Sequence, residues 1–364
     1  RAWLQRSRAN HGPICFPRVV GESARTAITL IEQTRLPAQE ERSEALAACA
    51  WAEAVAGSVE EAERLLAQLS GDRHESGDLR IHAVSHARSV ALGRRGRFVE
   101  SYGPSIAAGE AGERIGRPDL SYEGWVTAAG AATAAGQHDR ALEFLDRGLA
   151  AVDGHGLKGI EVDLLAARAF VLTRLSRLED ARRAAEAEQA LAEELAQPEV
   201  LAKASHDRGL VALEERDYSL AAHLLAVALV DPAPISRPVT RIALAEALAR
   251  GGHPEKAAEQ VRATVLEPVR ASDFPETLVP RLARAQGLIA RAREDYDEAE
   301  RRLEESIAGW ERLLAANLRA DSLAGVLADL GRPVVGLVEP ERELARARAD
   351  LEAMREERSS AIVS

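Results

Sequence analysis

The chain has 364 residues, 46% hydrophobic and only 4% aromatic, with 26 glycines and 15 prolines. That is enough apolar mass for a continuous core and too little Gly and Pro for a disordered or collagen-like class, and the balance favours helix over sheet. Forty-seven basic residues against 58 acidic ones leave a net charge of −11, which speaks against a broad basic face for nucleic acid.

Two cysteines, Cys15 and Cys49, suit a reducing cytoplasm better than a disulfide framework. The longest stretch free of Asp, Glu, Lys and Arg, residues 124–138, is too short to span a bilayer, so no membrane association is expected. The chain opens on Arg1 with no charged segment leading into an apolar run, which reads as a fragment of a longer protein.

In chain order, residues 1–42 form an N-terminal extension and partial repeat. Gly12 and Ala24 are a pair of small residues twelve positions apart, but Pro13 and Pro17 break the first helix. Residues 23–34, with Ile28 and Ile31, form a helix that docks on the first full repeat. From 43 to 316 the chain repeats. A small residue is followed twelve positions later by another at Ala50/Ala62, Ser89/Ser101, Ala129/Ala141, Ala169/Ala181, Gly209/Ala221, Ala245/Ala257 and Gly287/Ala299. Five residues before each second member stands a turn residue: Gly57, Gly96, Gly136, Ser176, Arg216, Gly252 and Glu294. Two antiparallel helices approach closely only where both carry small side chains, so each pair marks the crossing of a helix A with its helix B in an αα-hairpin. Residues 112–121, 152–160, 231–238 and 267–280 are read as irregular links, the last a candidate hinge. Residues 317–364 form a degenerate repeat around Ala324, a loop with Gly331, Pro333, Gly336 and Pro340, a charged capping helix over 341–355 with a solvated face, and a frayed tail over 359–364.

The small residues and the turns Gly-Arg-Phe at 96–98 and Asp-Tyr-Asp-Glu-Ala at 295–299 resemble the tetratricopeptide repeat (TPR), although the period here is near 40 residues. The resemblance implies an all-α fold, a right-handed superhelix (α-solenoid) of about seven TPR-like helix-turn-helix repeats, with a groove lined by A helices. The Ala-, Arg- and Glu-rich texture is also similar to the helical-repeat region of large bacterial LuxR-type ATP-dependent regulators. That likeness implies a sensor or regulatory region beside an ATPase and an output module. Relatives that bind chaperone tails use an asparagine-containing clamp. The two asparagines here, Asn10 and Asn317, match no groove position, which disfavours that ligand class.

Catalytic signatures are sparse. Gly154-His155-Gly156-Leu157-Lys158-Gly159 spells a dinucleotide fingerprint but follows a helix rather than a strand, so it reads as a linker. No phosphate loop or nucleophile elbow occurs. His82 and His86 lie four apart on one helix face, as two metal ligands would, but a third would have to come from His74 or from a carboxylate on a neighbouring helix; neither metal nor cofactor is expected. Cys49 reads as core. Arg94, Arg95 and Arg97 bracket a solvated turn. Arg281, Arg284 and Arg291 form a cluster that either grips a carboxylate or phosphate or pairs with neighbouring acids.

The expected function is non-enzymatic recognition of a protein, a peptide or a small inducer, with a passive scaffold and a signalling-peptide receptor as alternatives. The expected groove residues are Trp51, His86, Glu123, Phe170, Lys203, His206, Arg281 and Arg284. On this reading Arg284→Ala weakens binding and leaves the melting temperature unmoved.

Overall fold

The computed structural model describes residues 17–34, 39–56, 58–70, 77–95, 97–229, 237–265, 275–315 and 340–363. The chain divides into two compact units, one reaching to Leu175 and one beginning at Ser176 and including the C-terminal helix. Among the described residues there are sixteen helices and no strand.

The first unit contains α1 (Pro17–Thr34), α2 (Gln39–Ala56), α3 (Val59–Ser70), α4 (Asp78–Arg94), α5 (Phe98–Ile115), α6 (Pro118–Ala134), α7 (His138–Val152) and α8 (Lys158–Arg174). The second contains α9 (Leu178–Leu195), α10 (Pro198–Glu214), α11 (Tyr218–Ala228), α12 (Arg237–Arg250), α13 (Pro254–Val265), α14 (Pro275–Ala292), α15 (Tyr296–Ala315) and α16 (Pro340–Val363). Local chemistry sets many of the boundaries. Pro118 and Pro198 stand at the first helical turn, where their missing N–H is no loss. Asp217 and Asp295 accept the backbone N–H groups of Leu220 and Glu298 at 3.0 and 3.2 Å, capping α11 and α15.

Every small-residue pair falls as the spacing predicts, one member on an even-numbered A helix and one on the following B helix. The second members Ala62, Ala141, Ala181, Ala221, Ala257 and Ala299 are completely buried. A Cβ built on Gly209 or Gly287 would come within 2.8 Å of Leu225 or Leu303. Gly136, Ser176, Arg216, Gly252 and Glu294 all have left-handed backbone, with φ between 57° and 79°. A single αL residue thus follows α6, α8, α10, α12 and α14. Gly57 and Gly96 lie outside the described residues. Leucine at Ala141 or Ala181 should overpack these sites and lower stability by about 1–3 kcal/mol. Urea unfolding curves check this, and unchanged midpoints for both variants would refute the register.

Several boundaries differ from expectation. Residues 112–121 are not an irregular link: α5 and α6 run through them, leaving only Gly116 and Arg117 between. Gly109, Gly112 and Gly124 instead allow a close approach of α5 and α6, where a Cβ on Gly124 would lie 2.1 Å from the Gly109 backbone nitrogen. The helix expected from Ser23 begins earlier, at Pro17, and the segment around Gly12 lies outside the described residues. Pro280 lies inside α14, its carbonyl accepting the Ser306 hydroxyl at 2.7 Å. Gly154 and Gly156, both at positive φ, turn the chain between α7 and α8 with no strand nearby. Residues 359–363 continue α16 instead of fraying. The expected helix around Ala324 and the loop after it lie outside the described residues.

In the first unit Trp125 is fully buried, stacked on Phe144 with centroids 6.2 Å apart. Its indole N–H is shared between Glu113 and Ser121, at 3.0 and 3.1 Å. In the second unit α16 packs along α15, burying Leu344, Ala347, Leu351 and Met354 against Trp310 and Leu303. The charged helix thus keeps a solvated outer face, with Arg348, Glu352 and Arg355 exposed, and buries its apolar inner face, as expected of a capping helix. No helix among the described residues is long and apolar enough to cross a membrane.

Candidate functional site

The polar residues singled out from the sequence fall into three groups. In the first unit, α4 carries His82 and His86 on one face, and α6 brings Glu123 to them. Glu123 Oε2 lies 3.1 Å from His82 Nε2 and 3.2 Å from His86 Nδ1. The carboxylate required from a neighbouring helix is thus Glu123; His74 lies outside the described residues. Both imidazoles are buried, and the Glu123 side chain retains 14% exposure. Burial alone would push the Glu123 carboxyl up, but hydrogen bonds and charge from the two imidazoles hold it well below the usual carboxylate range. Trp51, also buried, tilts against His86 with ring centroids 6.3 Å apart. Phe170 does not join this group: it is half-buried on α8 beneath the Arg174 guanidinium, 4.4 Å from its ring centroid.

The second group lies on α9, α10, α12 and α14. Lys203 Nζ reaches Glu188 Oε1 at 3.4 Å and Asp207 Oδ2 at 3.1 Å. Glu188 is completely buried and its second oxygen has no partner. Burial raises its carboxyl well above the usual range, which Lys203 opposes and Asp207 reinforces. His206 is buried with Nδ1 3.1 Å from the Thr240 hydroxyl. Burial lowers the pKa of this imidazole; Asp207 opposes the shift, and the charges of Lys203 and Arg281 add to it. Arg281 is half-buried; its Nε is shielded from solvent without an acceptor, and no carboxylate among the described residues pairs with it.

The third group corrects the expectation for Arg284, which is 6% exposed and not free for a ligand. Its Nε donates to Asp350 at 2.8 Å and its Nη1 to Glu246 at 3.0 Å, while Arg250 holds the other Asp350 oxygen at 2.7 Å. Burial opposes the Arg284 charge, but Glu246, Asp350 and Glu343 raise its pKa further still. Arg291 forms a forked pair with Glu357, and Glu214 is gripped by Arg342 and Arg346. The C-terminal helix thereby engages side chains of α10, α12 and α14. Of the three clustered arginines, Arg281 alone has no such partner.

Elsewhere, Arg95 pairs with Glu60 and Glu63, and Arg97 with Glu100, at a solvated edge. Cys49 is buried, and burial pushes its thiol up to about 11, which leaves it inert. The sequence reading missed Glu188, Asp207, Thr127 and Thr240 as members of these groups. His86, three residues before the packing position of α4, meets Glu123, six before that of α6, whereas the missed residues carried no signal of their own in the sequence.

No protein-family model matches the chain, and no curated protein matches it. Solved structures do. RapI in its apo form superposes with a TM-score of 0.65 at 12% identity, covering 97% of both chains. A Rap protein complexed with Competence and Sporulation Factor gives 0.59 at 13% identity, again covering 97% of both. The APC/C hetero-tetramer Cut9-Hcn1 gives 0.54 at 14% identity over 85% of this chain and 52% of that one. At these identities the likeness is one of fold, and it agrees with the helix register: the chain is a TPR-like helical-repeat region of the all-α superhelical class.

Proposed function

We propose that this chain is a non-enzymatic recognition module, the sensor or regulatory repeat region of a larger bacterial signalling protein acting in the cytoplasm. Its ligand on this reading is a peptide bearing a carboxylate, taken on the A-helix face of the second unit by Arg281 with Lys203 and His206. The observation that carries the reading is Arg281, a cation with a buried, acceptor-less Nε among groups whose other cations are all paired. Planar guanidinium donors match a carboxylate bidentately. Lys203 and His206 stand on α10 and Arg281 on α14, so a ligand held by all three lies across the A helices of this unit. Likeness in fold to a Rap protein complexed with a factor supports the same reading. The LuxR-type context rests on sequence texture alone.

The test is a thermal-shift and fluorescence-polarisation screen of the full chain against short peptides with free or amidated C-termini and with or without acidic side chains. A ligand at a hundred times its Kd stabilises the folded form by about 2.7 kcal/mol. Arg281→Ala should weaken any hit about tenfold or more without lowering the melting temperature, since Arg281 has no partner to lose. A panel with no hits, or hits unaffected by Arg281→Ala, would overturn the assignment.

A further inference from the structure

We propose that His82 Nε2, His86 Nδ1 and Glu123 Oε2 of the first unit hold one divalent late-transition cation, of the zinc class, in a site with an open coordination position. The first argument is geometric. The three atoms lie within 4.8 Å of one another, and the two nitrogen-to-oxygen separations are 3.1 and 3.2 Å. Zinc–ligand bonds of roughly 2.0–2.2 Å in a tetrahedral site place ligand atoms roughly 3.3–3.6 Å apart, so small side-chain rotations close the set around an ion. Two imidazoles and a carboxylate also suit zinc and its neighbours rather than magnesium or calcium, which prefer all-oxygen shells.

The second argument is which nitrogen carries hydrogen. His82 Nδ1 lies 3.1 Å from the carbonyl oxygen of Ala108 on α5, a pure acceptor, so that nitrogen is the N–H. His86 Nε2 faces the Thr127 hydroxyl at 3.4 Å, and that hydroxyl spends its own hydrogen on the Glu123 carbonyl at 2.6 Å. Thr127 is therefore an acceptor, and His86 Nε2 is the donor. In the neutral rings both remaining nitrogens present lone pairs, and both aim them at the same carboxylate oxygen. Three acceptors converging in a buried place need positive charge between them. One divalent cation between the three atoms supplies it. The fixed outer N–H bonds, one to a backbone carbonyl and one to a hydroxyl, are the outer-shell contacts that orient ligating histidines.

The third argument is how the site is built. Its ligands come from α4 and α6 and its outer contacts from α5 and α6, all in one compact unit, with Trp51 walling one side and the partly exposed Glu123 giving access. Three protein ligands leave a position for water or for a donor atom of a bound partner. This inference is independent of the peptide reading, which concerns the second unit.

The experiment is titration of the chelator-stripped full chain with zinc chloride, followed by calorimetry and by metal analysis after gel filtration. One equivalent should be retained, and cobalt(II) should give the visible absorption of a four- or five-coordinate nitrogen–oxygen site. Glu123→Gln and His82→Gln should each abolish retention, Thr127→Val should weaken it about tenfold, and His155→Gln, at an exposed loop imidazole, should leave it unchanged. Circular dichroism screens out unfolded variants, and the wild-type cobalt spectrum needs no variant. Failure of the wild-type chain to retain zinc would overturn the proposal, as would equal retention by a folded His82→Gln, Glu123→Gln double variant.

Discussion

Arg284→Ala should destabilise the second unit by about 3–5 kcal/mol, the usual cost of removing one partner from a buried ion-pair network. The guanidinium lies between Glu246 of α12 and Asp350 of α16, both largely shielded from water. Truncation leaves two buried carboxylates with only Arg250 to share. The loss should appear as a lower urea midpoint for the full chain, and as faster hydrogen exchange confined to α12, α14 and α16. Asp350 adds a pH signature. Burial would raise its carboxyl, but Arg284 and Arg250 hold it below the ordinary value. A depressed carboxyl contributes stability that is present above about pH 4 and is lost as pH falls through the lowered value. The variant should lose part of that acid dependence. A midpoint within experimental error of wild type would show Arg284 to be dispensable for stability and return it to the candidate ligand contacts.

Gly124→Ala should be comparably damaging in the first unit, by about 3 kcal/mol. The added Cβ would lie 2.1 Å from the backbone nitrogen of Gly109 and 2.5 Å from its Cα. No side chain stands there to rotate away, so α5 and α6 must separate as whole helices. Because Glu123 rides on α6 and the His82 acceptor Ala108 on α5, the same displacement should also reduce zinc retention. Gly103→Ala is the control: nothing lies within 4 Å of its Cβ, and removing a mid-helix glycine should leave stability equal or about 0.5–1 kcal/mol higher. Thermal melts of the two variants side by side decide the matter, and equal melting temperatures would refute the close-packing account.

The recurrence of these features explains what could be read without coordinates. A twelve-residue offset between small residues and an αL residue five before the second member are properties of one hairpin, fixed by helix periodicity and turn stereochemistry within a short segment. Ala129, Gly136 and Ala141 therefore announced α6, its turn and α7, and the same held for Gly209, Arg216 and Ala221. The break expected over 112–121 failed for a related reason. Gly112 and Gly116 look alike in sequence, but only Gly116 has left-handed backbone, while Gly112 is needed for the close approach of α6.

Which polar side chains meet was not legible in that way. His82 and His86 were recognisable as a pair because four residues make one helical turn. Glu123 lies 41 residues from His82, and only the packing of α6 beside α4 turns its carboxylate toward the rings. Arg284 and Asp350 are 66 residues apart, and α16 had no repeat signature to place it. The sequence alone determined the repeat hairpins and the register of their small residues, because those depend on periodicity and on short-range backbone chemistry. The tertiary structure alone decided which charges are buried together and which cation is left free, because that depends on the rotation of each helix about its axis and on where the last helix docks.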